Sequence, residues 1–150
     1  MSNLSESMVI HFKKMVEGAK SPTKAYHSDA GWDLYASERV YLSAGDLQKI
    51  PTGIAVAIPE GYVGVIKDRS SMGSKRLKVF GGIIDAQYRG EAVVMIYNGK
   101  CPTTADTYII EKGDKIAQML ILPVPDVEFV EVFDLGETDR GESGFGSSGK

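Results

Sequence analysis

Histidine and cysteine are nearly absent from this sequence: His11 and His27 are the only histidines, and Cys101 is the only cysteine. Their scarcity removes whole classes of chemistry. No spacing of the zinc type exists. A lone cysteine excludes an internal disulfide, and a reducing cytoplasm is the expected setting. A Ser-His-Asp hydrolase is disfavoured, because no Gly-x-Ser-x-Gly elbow occurs. Long apolar runs are lacking too. Pro59 and Glu60 interrupt the longest, from Gly53 to Ile66, so no membrane span is expected. Met1 to Ser7 is polar and carries no signal-peptide pattern. There is no basic run or stripe. The net charge is -3 and the pI is near 5.4, which speaks against a large or stable nucleic-acid interface. A small anionic ligand gripped by a few placed arginines remains open.

What is present is enough for one folded domain. The chain has 150 residues, 43% of them hydrophobic. Short β-rich runs recur between turn residues: Met8 to Val16, Val40 to Leu42, Gly53 to Ile58, Tyr62 to Ile66, Val79 to Ile84, Glu91 to Tyr97, Tyr108 to Ile110, Ile116 to Leu122 and Val127 to Phe133. Gly45-Asp46 and Pro59-Glu60-Gly61 read as turns, and Asp85 to Gly90 as a hairpin connection. Only Ser71 to Leu77 suits a short helix. The pattern predicts an all-β sandwich or barrel over residues 1–135 and a tail over 136–150.

That tail holds an arginine (Arg140), one ring (Phe145), adjacent hydroxyls (Ser147 and Ser148) and glycines, with no aliphatic side chain after Gly136. Such a strip has little to bury and loses much backbone entropy on ordering. It is expected to be mobile without a ligand. Its chemistry suits a nucleoside triphosphate: guanidinium, hydroxyls and glycine amides for phosphate, a ring for the base. Gly144, Gly146 and Gly149 also match the dinucleotide fingerprint, but no strand precedes them and no helix can follow.

Four further clusters stand out. Ala30 to Leu34 (AGWDL) sets Asp33 in an apolar stretch. Arg69-Ser70-Ser71 follows a predicted strand and precedes the short helix, where amides and hydroxyls can hold an anion. Gly81 to Asp85 runs apolar residues into an acid, with Tyr88 and Arg89 beyond; partial burial of Asp85 is expected. Gly113 to Gln118 sets an amide among core residues. Each has a plainer reading. Asp33 could cap a turn, Arg69 could pair with a surface carboxylate, and Gln118 could satisfy a buried backbone group.

Taken together and in order, the clusters and the tail resemble the five motifs of the trimeric deoxyuridine triphosphatases. They are Ala30 to Leu34, Arg69 to Lys75, Gly82 to Gly90 with Asn98 after the next strand, Gly113 to Gln118, and Arg140 to Gly149. The resemblance implies a β jelly roll, or distorted barrel, forming a homotrimer. Active sites would lie between subunits, with a flexible C-terminal arm closing each. It implies cleavage of dUTP to dUMP and pyrophosphate with Mg²⁺, water attacking the α-phosphorus. This would lower dUTP and supply dUMP for thymidylate synthesis. Carried over by position, Asp85 would be the general base. Tyr88 would pack on the deoxyribose and exclude a 2′-hydroxyl. The strand from Val79 to Asp85, including Gly82 and Ile84, would form a uracil-binding hairpin with a partner around Val93. Arg69, Ser70, Ser71 and Gln118 would contact phosphates. Asp33 would hold Mg²⁺ through water. Arg140 would grip the γ-phosphate, Phe145 would stack on uracil, and Gly146, Ser147 and Ser148 would complete the cradle.

Some positions depart from the family pattern. Asp68 stands where many members have Pro or Ala, and a carboxylate there is unfavourable unless it points away or pairs with Arg69. Gln87, Trp32, and the Val79-Phe80 pair also differ. A related dCTP deaminase shares the fold and an Arg-Ser-Ser element; the Asp85–Tyr88 pair and the full arm favour phosphate cleavage. A regulatory scaffold with a protein partner, as some viral members resemble, is the reading from another class. The absence of an inserted domain lowers it.

Overall fold

The structure is a computed structural model, and it describes residues 7–102, 106–146 and 149. The regular secondary structure of the described part is almost entirely antiparallel β. One four-stranded sheet has the order β1 (His11–Lys14), β4 (Leu47–Ala57), β8 (Glu91–Asn98), β6 (Leu77–Phe80). A second has the order β2 (Trp32–Tyr35), β10 (Lys115–Pro123), β5 (Tyr62–Lys67), β7 (Ile83–Ile84). A small ribbon pairs β3 (Val40–Leu42) with β9 (Tyr108–Ile110). The single helix among the described residues, α1, spans Ser70–Gly73.

Period-2 patterning builds the core. In β8 burial alternates strictly, with Ala92, Val94, Ile96 and Asn98 turned inward. Ile54, Val94 and Ile96 of the first sheet join Leu34, Ile66 and Ile116 of the second in one apolar cluster. Asn98 is the polar exception, with no solvent exposure. Its Nδ2 donates to the Leu42 carbonyl at 3.0 Å, and its Oδ1 accepts the Lys100 N–H at 3.2 Å. A buried amide is tolerated because both ends are bonded.

Several expected elements come out differently. The run from Val79 to Ile84 is not one strand. Gly81 and Gly82 have φ of 65° and 93° and carry the chain from the first sheet to the second. Gly82 lies so close to Ile66 that a Cβ would sit 2.5 Å from the Ile66 carbonyl oxygen, and its own carbonyl accepts the Ile66 N–H at 2.7 Å. The helix is shorter than Ser71 to Leu77; Leu77 is buried in β6 instead. β1 is shorter than Met8 to Val16, and β4 starts well before Gly53.

The expected strand from Val127 to Phe133 is not formed. Its side chains are exposed, Phe129 at 98%. A strand needs an edge to pair with, and this segment takes none from its own chain. No described helix is long and apolar enough to cross a membrane.

Candidate active site

The first cluster gathers around the Lys67 end of β5. β10 runs between β5 and β2, so Gln118 faces Lys67 on one side and Asp33 on the other. The chain then leaves β5 through Asp68 to Arg69, which returns across the sheet. Its Nε donates to Asp33 Oδ1 at 3.0 Å, while Lys115 Nζ lies 3.1 Å from Asp33 Oδ2. Arg69 and Asp33 are only 29% and 14% exposed at their side chains, so this pair is partly shielded from water. Arg69 Nη1 reaches Ser71 Oγ at 3.4 Å. Ser70 and Ser71 are exposed at the start of α1. Arg69, Ser71, Lys75 and Lys115 line a cleft of about 220 Å³ with Tyr108. Three of these side chains are cations against one acid on the same lining, Asp114, so the balance of charge suits phosphate.

Gln118 lies half-buried and donates Nε2 to the Asp68 carbonyl at 2.9 Å. This is the plainer reading of that residue, and it leaves one N–H for a ligand. Gly31 makes the position possible, since a Cβ there would collide with the Gln118 side-chain oxygen. The Asp68 carboxylate points away from Arg69. Oδ1 accepts the Val79 N–H at 2.5 Å and Oδ2 pairs with Lys78 Nζ at 2.8 Å. Burial works to raise the Asp68 pKa, but Lys78, the Val79 N–H and the Lys67 charge overcome it and hold the carboxyl below its usual range.

The second cluster hangs from β7. Ile84 is buried and pairs with Gly64 of β5. Asp85 follows it and is exposed, not partly buried as expected, because it lies beyond the last paired residue of an edge strand. Its carboxylate has no hydrogen-bond or ion-pair partner among the described residues. A tight turn follows, closed by the Tyr88 N–H on the Asp85 carbonyl at 3.1 Å. Arg89 Nη1 donates to the Ala86 and Tyr88 carbonyls at 2.6 and 3.0 Å, which stiffens the turn. The Tyr88 hydroxyl donates to the Glu91 carbonyl at 3.0 Å, and the phenol lies over Gly90, where a Cβ would strike it. Val93 does not pair with the strand from Val79 to Asp85; it faces Pro51 of β4. The partners of Val79 and Phe80 on β8 are Ile96 and Met95.

The two clusters do not meet within one chain. Arg69 reaches Asp33 on β2, one edge of the second sheet, and Asp85 follows β7, the other edge. Three strand spacings of ~4.8 Å put these edges roughly 14 Å apart. The clusters are also offset along the strands. β7 is antiparallel to β5, so Asp85 emerges toward Tyr62 while Arg69 leaves beyond Lys67.

The tail candidates lie apart from both. The Val124 N–H donates to the Gly61 carbonyl at 2.8 Å, and the described bonds beyond it are local. Arg140 Nε donates to the Ser143 carbonyl at 2.9 Å. Phe145 is fully exposed, and with Gly146 it has a left-handed φ. Ser147 and Ser148 lie outside the described residues. A separate concavity of about 450 Å³, lined by Met8, Phe12, Trp32 and Met119 among others, is apolar and holds none of these groups. Lys24 is the one charged residue on its lining, so it offers no convergent charge for a polyanion.

Residues 17–149 match the dUTPase family model. The deoxyuridine 5′-triphosphate nucleotidohydrolase of Monkeypox virus is 38% identical over 150 residues, covering 99% of this chain and 96% of that protein. The dUTPase of Staphylococcus bacteriophage 80alpha, solved with dUPNHPP, superposes with a TM-score of 0.88 at 32% identity, over 96% of this chain and 100% of that one. A mutant dUTPase of phage phi11 of S. aureus, described with a structural Mg(II) ion, superposes at 0.79 and 31% identity, over 85% of this chain and 99% of the other. With two polar clusters on a jelly-roll sandwich and matches over nearly its whole length, the chain belongs to the dUTPase family.

Proposed function

We propose that the protein hydrolyses dUTP to dUMP and pyrophosphate in sites shared between copies of the chain in a homotrimer. The observation that carries the shared site is the separation of the two clusters on opposite edges of one sheet. A base and a phosphate clamp this far apart cannot act on one triphosphate. A second copy that brings its Asp85–Tyr88 edge against the Arg69–Asp33 edge completes the set, and a head-to-tail contact of this kind gives a ring where its rotation closes after three copies.

In such a site Asp85 accepts a proton from the attacking water as the new P–O bond forms and pyrophosphate departs. Its unencumbered carboxylate suits this work, which is worth about 10²–10⁴-fold in other enzymes. Tyr88 is fixed by its hydroxyl and by Gly90, so its ring presents a rigid wall to the sugar. Arg69 and the free Gln118 N–H hold phosphate oxygens. Asp33 fixes the guanidinium in place before substrate arrives, so little reorganisation is needed. Ile84 and Gly82 shape the base pocket through backbone groups.

The donor set fits a Mg²⁺ that arrives with the nucleotide. No cluster of three ligating side chains exists among the described residues, and Mg²⁺ takes readily to phosphates and water. Asp33 retains lone pairs beyond those used by Arg69 and Lys115, and would hold a water of the ion. When bound, the ion neutralises phosphate charge.

The test is hydrolysis of dUTP, dTTP, dCTP and UTP with product identification. Pyrophosphate and dUMP from dUTP alone are expected. Release of orthophosphate, or equal use of UTP, would overturn the reading.

A further inference from the structure

We propose that Asp68 is a positioning residue for the phosphate side of the site, acting through Arg69 and Gln118 and touching no substrate itself. The inference rests on the assignment of Arg69, Ser71 and Gln118 to phosphate.

Asp68 is bonded at both its ends. Its side chain ties it to the first sheet, through the Val79 N–H at 2.5 Å and Lys78 Nζ at 2.8 Å. β6 is an edge strand, and the Val79 N–H is a donor that the edge leaves without a β partner on that side. Its main-chain carbonyl reaches the second sheet, accepting Gln118 Nε2 at 2.9 Å. The peptide between those two attachments is the one that leads into Arg69, whose Nε is held by Asp33 at 3.0 Å. The carboxylate therefore fixes the plane of a peptide that aims both phosphate ligands. Gly31 packs against the Gln118 side chain so closely that a Cβ there would strike it. Without the carboxylate the turn between β5 and α1 loses its anchor to β6. The Asp68 carbonyl is then free to rotate, and the Gln118 amide and the root of Arg69 move with it.

The side chain is also suited to this place chemically. A proline or alanine here would leave the Val79 N–H to water. The carboxylate supplies the acceptor without approaching the phosphates, because Lys78 and Val79 draw it toward β6.

The experiment compares Asp68→Ala, Asp68→Asn and wild type by calorimetric binding of deoxyuridine and of a non-hydrolysable imido analogue of dUTP, alongside dUTP turnover. In Asp68→Ala the advantage of the analogue over deoxyuridine should shrink about tenfold, and turnover should fall about tenfold to a hundredfold, the scale of a small misplacement. Deoxyuridine binding should stay within about twofold, as expected for an uncoupled contact. Asp68→Asn keeps an oxygen for the Val79 N–H and should restore most of both quantities. Equal losses for both ligands would reduce Asp68 to a structural role, and an unchanged advantage in Asp68→Ala would remove the role altogether. If the alanine variant does not fold, the asparagine variant decides: a loss of the analogue's advantage there would show that the carboxamide oxygen cannot substitute, against the proposal. A wild type with no advantage for the triphosphate would instead overturn the assignment of the phosphate loop.

Discussion

The Arg69 guanidinium is held by Asp33 on β2, one edge of the second sheet, while Asp85 extends past β7, the other edge, with β10 and β5 between them. This relationship has a consequence for mixed assemblies. Asp85→Asn should abolish most turnover, by about 10²–10⁴-fold, while leaving the fold intact. Arg69→Gln should weaken phosphate binding and also reduce activity strongly. If each site takes Asp85 from one copy and Arg69 from another, co-refolding the two inactive variants should recover a measurable fraction of wild-type activity. Recovery is read as dUTP hydrolysis in the mixture against each variant alone. A mixture as inactive as its components would place both groups in one chain's own site.

Gly90 offers a test of specificity that leaves the reacting groups untouched. A methyl group at residue 90 would lie 2.6 Å from the Tyr88 Cζ. The ring is the far end of a side chain, so it can swing away, breaking its hydroxyl bond to Glu91. Gly90→Ala should therefore fold normally. Its preference for dUTP over UTP should fall about tenfold or more, the scale of one lost steric contact. The ratio of kcat/KM for the two nucleotides is the measurement. An unchanged ratio would show that the ring is not the wall against the 2′-hydroxyl.

The Asp68 ion pair predicts a pH effect on stability. The carboxyl is held below its ordinary value of 3.8 despite partial burial, by Lys78, the Val79 N–H and Lys67. A lowered folded-state pKa means that the unfolded chain takes up the proton first as pH falls. The stabilisation is complete above the unfolded value and is lost as pH drops through the folded one. The difference in Tm between wild type and Asp68→Asn should therefore be constant near neutrality and shrink below about pH 4. A difference that grows on acidification would contradict the sign.

The sequence made the strands with clear alternation legible, such as β8, and the motifs with fixed spacing. It did not reveal β2, Trp32 to Tyr35, whose pairing is set by β10. The break at Gly81-Gly82 was hidden inside an apolar run, since either sheet could accept Ile83 and Ile84. What matters there is the closeness of Ile66, a tertiary fact. Asp85 was misjudged for a related reason. Apolar neighbours in sequence do not bury a residue that extends past the edge of its sheet. Gln118 bonds a backbone group, one of its two readings, through the Asp68 carbonyl, whose position only the fold supplies. Val127 to Phe133 has strand composition but pairs with no edge of its own chain, and composition carries no information about pairing.

The arm gives the last prediction. Beyond the bond from Val124 to Gly61, the described tail residues bond only to near neighbours, and Phe145 is fully exposed. Little of the body's stability depends on them. Arg140 uses one donor on the Ser143 carbonyl, which leaves the other guanidinium N–H groups for phosphate. Phe145 sits in a left-handed conformation that costs energy for a non-glycine residue. A base to stack on, worth about 1–3 kcal/mol, would offset that cost. Truncation after Gly136 should therefore leave Tm nearly unchanged. It should slow dUTP hydrolysis by about 10²-fold, because the phosphates lose an orienting clamp and the site stays wet. The intact arm should resist proteolysis better with a triphosphate analogue than with dUMP, which offers Arg140 no γ-phosphate. Limited digestion followed by mass measurement reads this directly. Equal cleavage with either nucleotide, together with full activity after truncation, would leave the arm no part in the reaction.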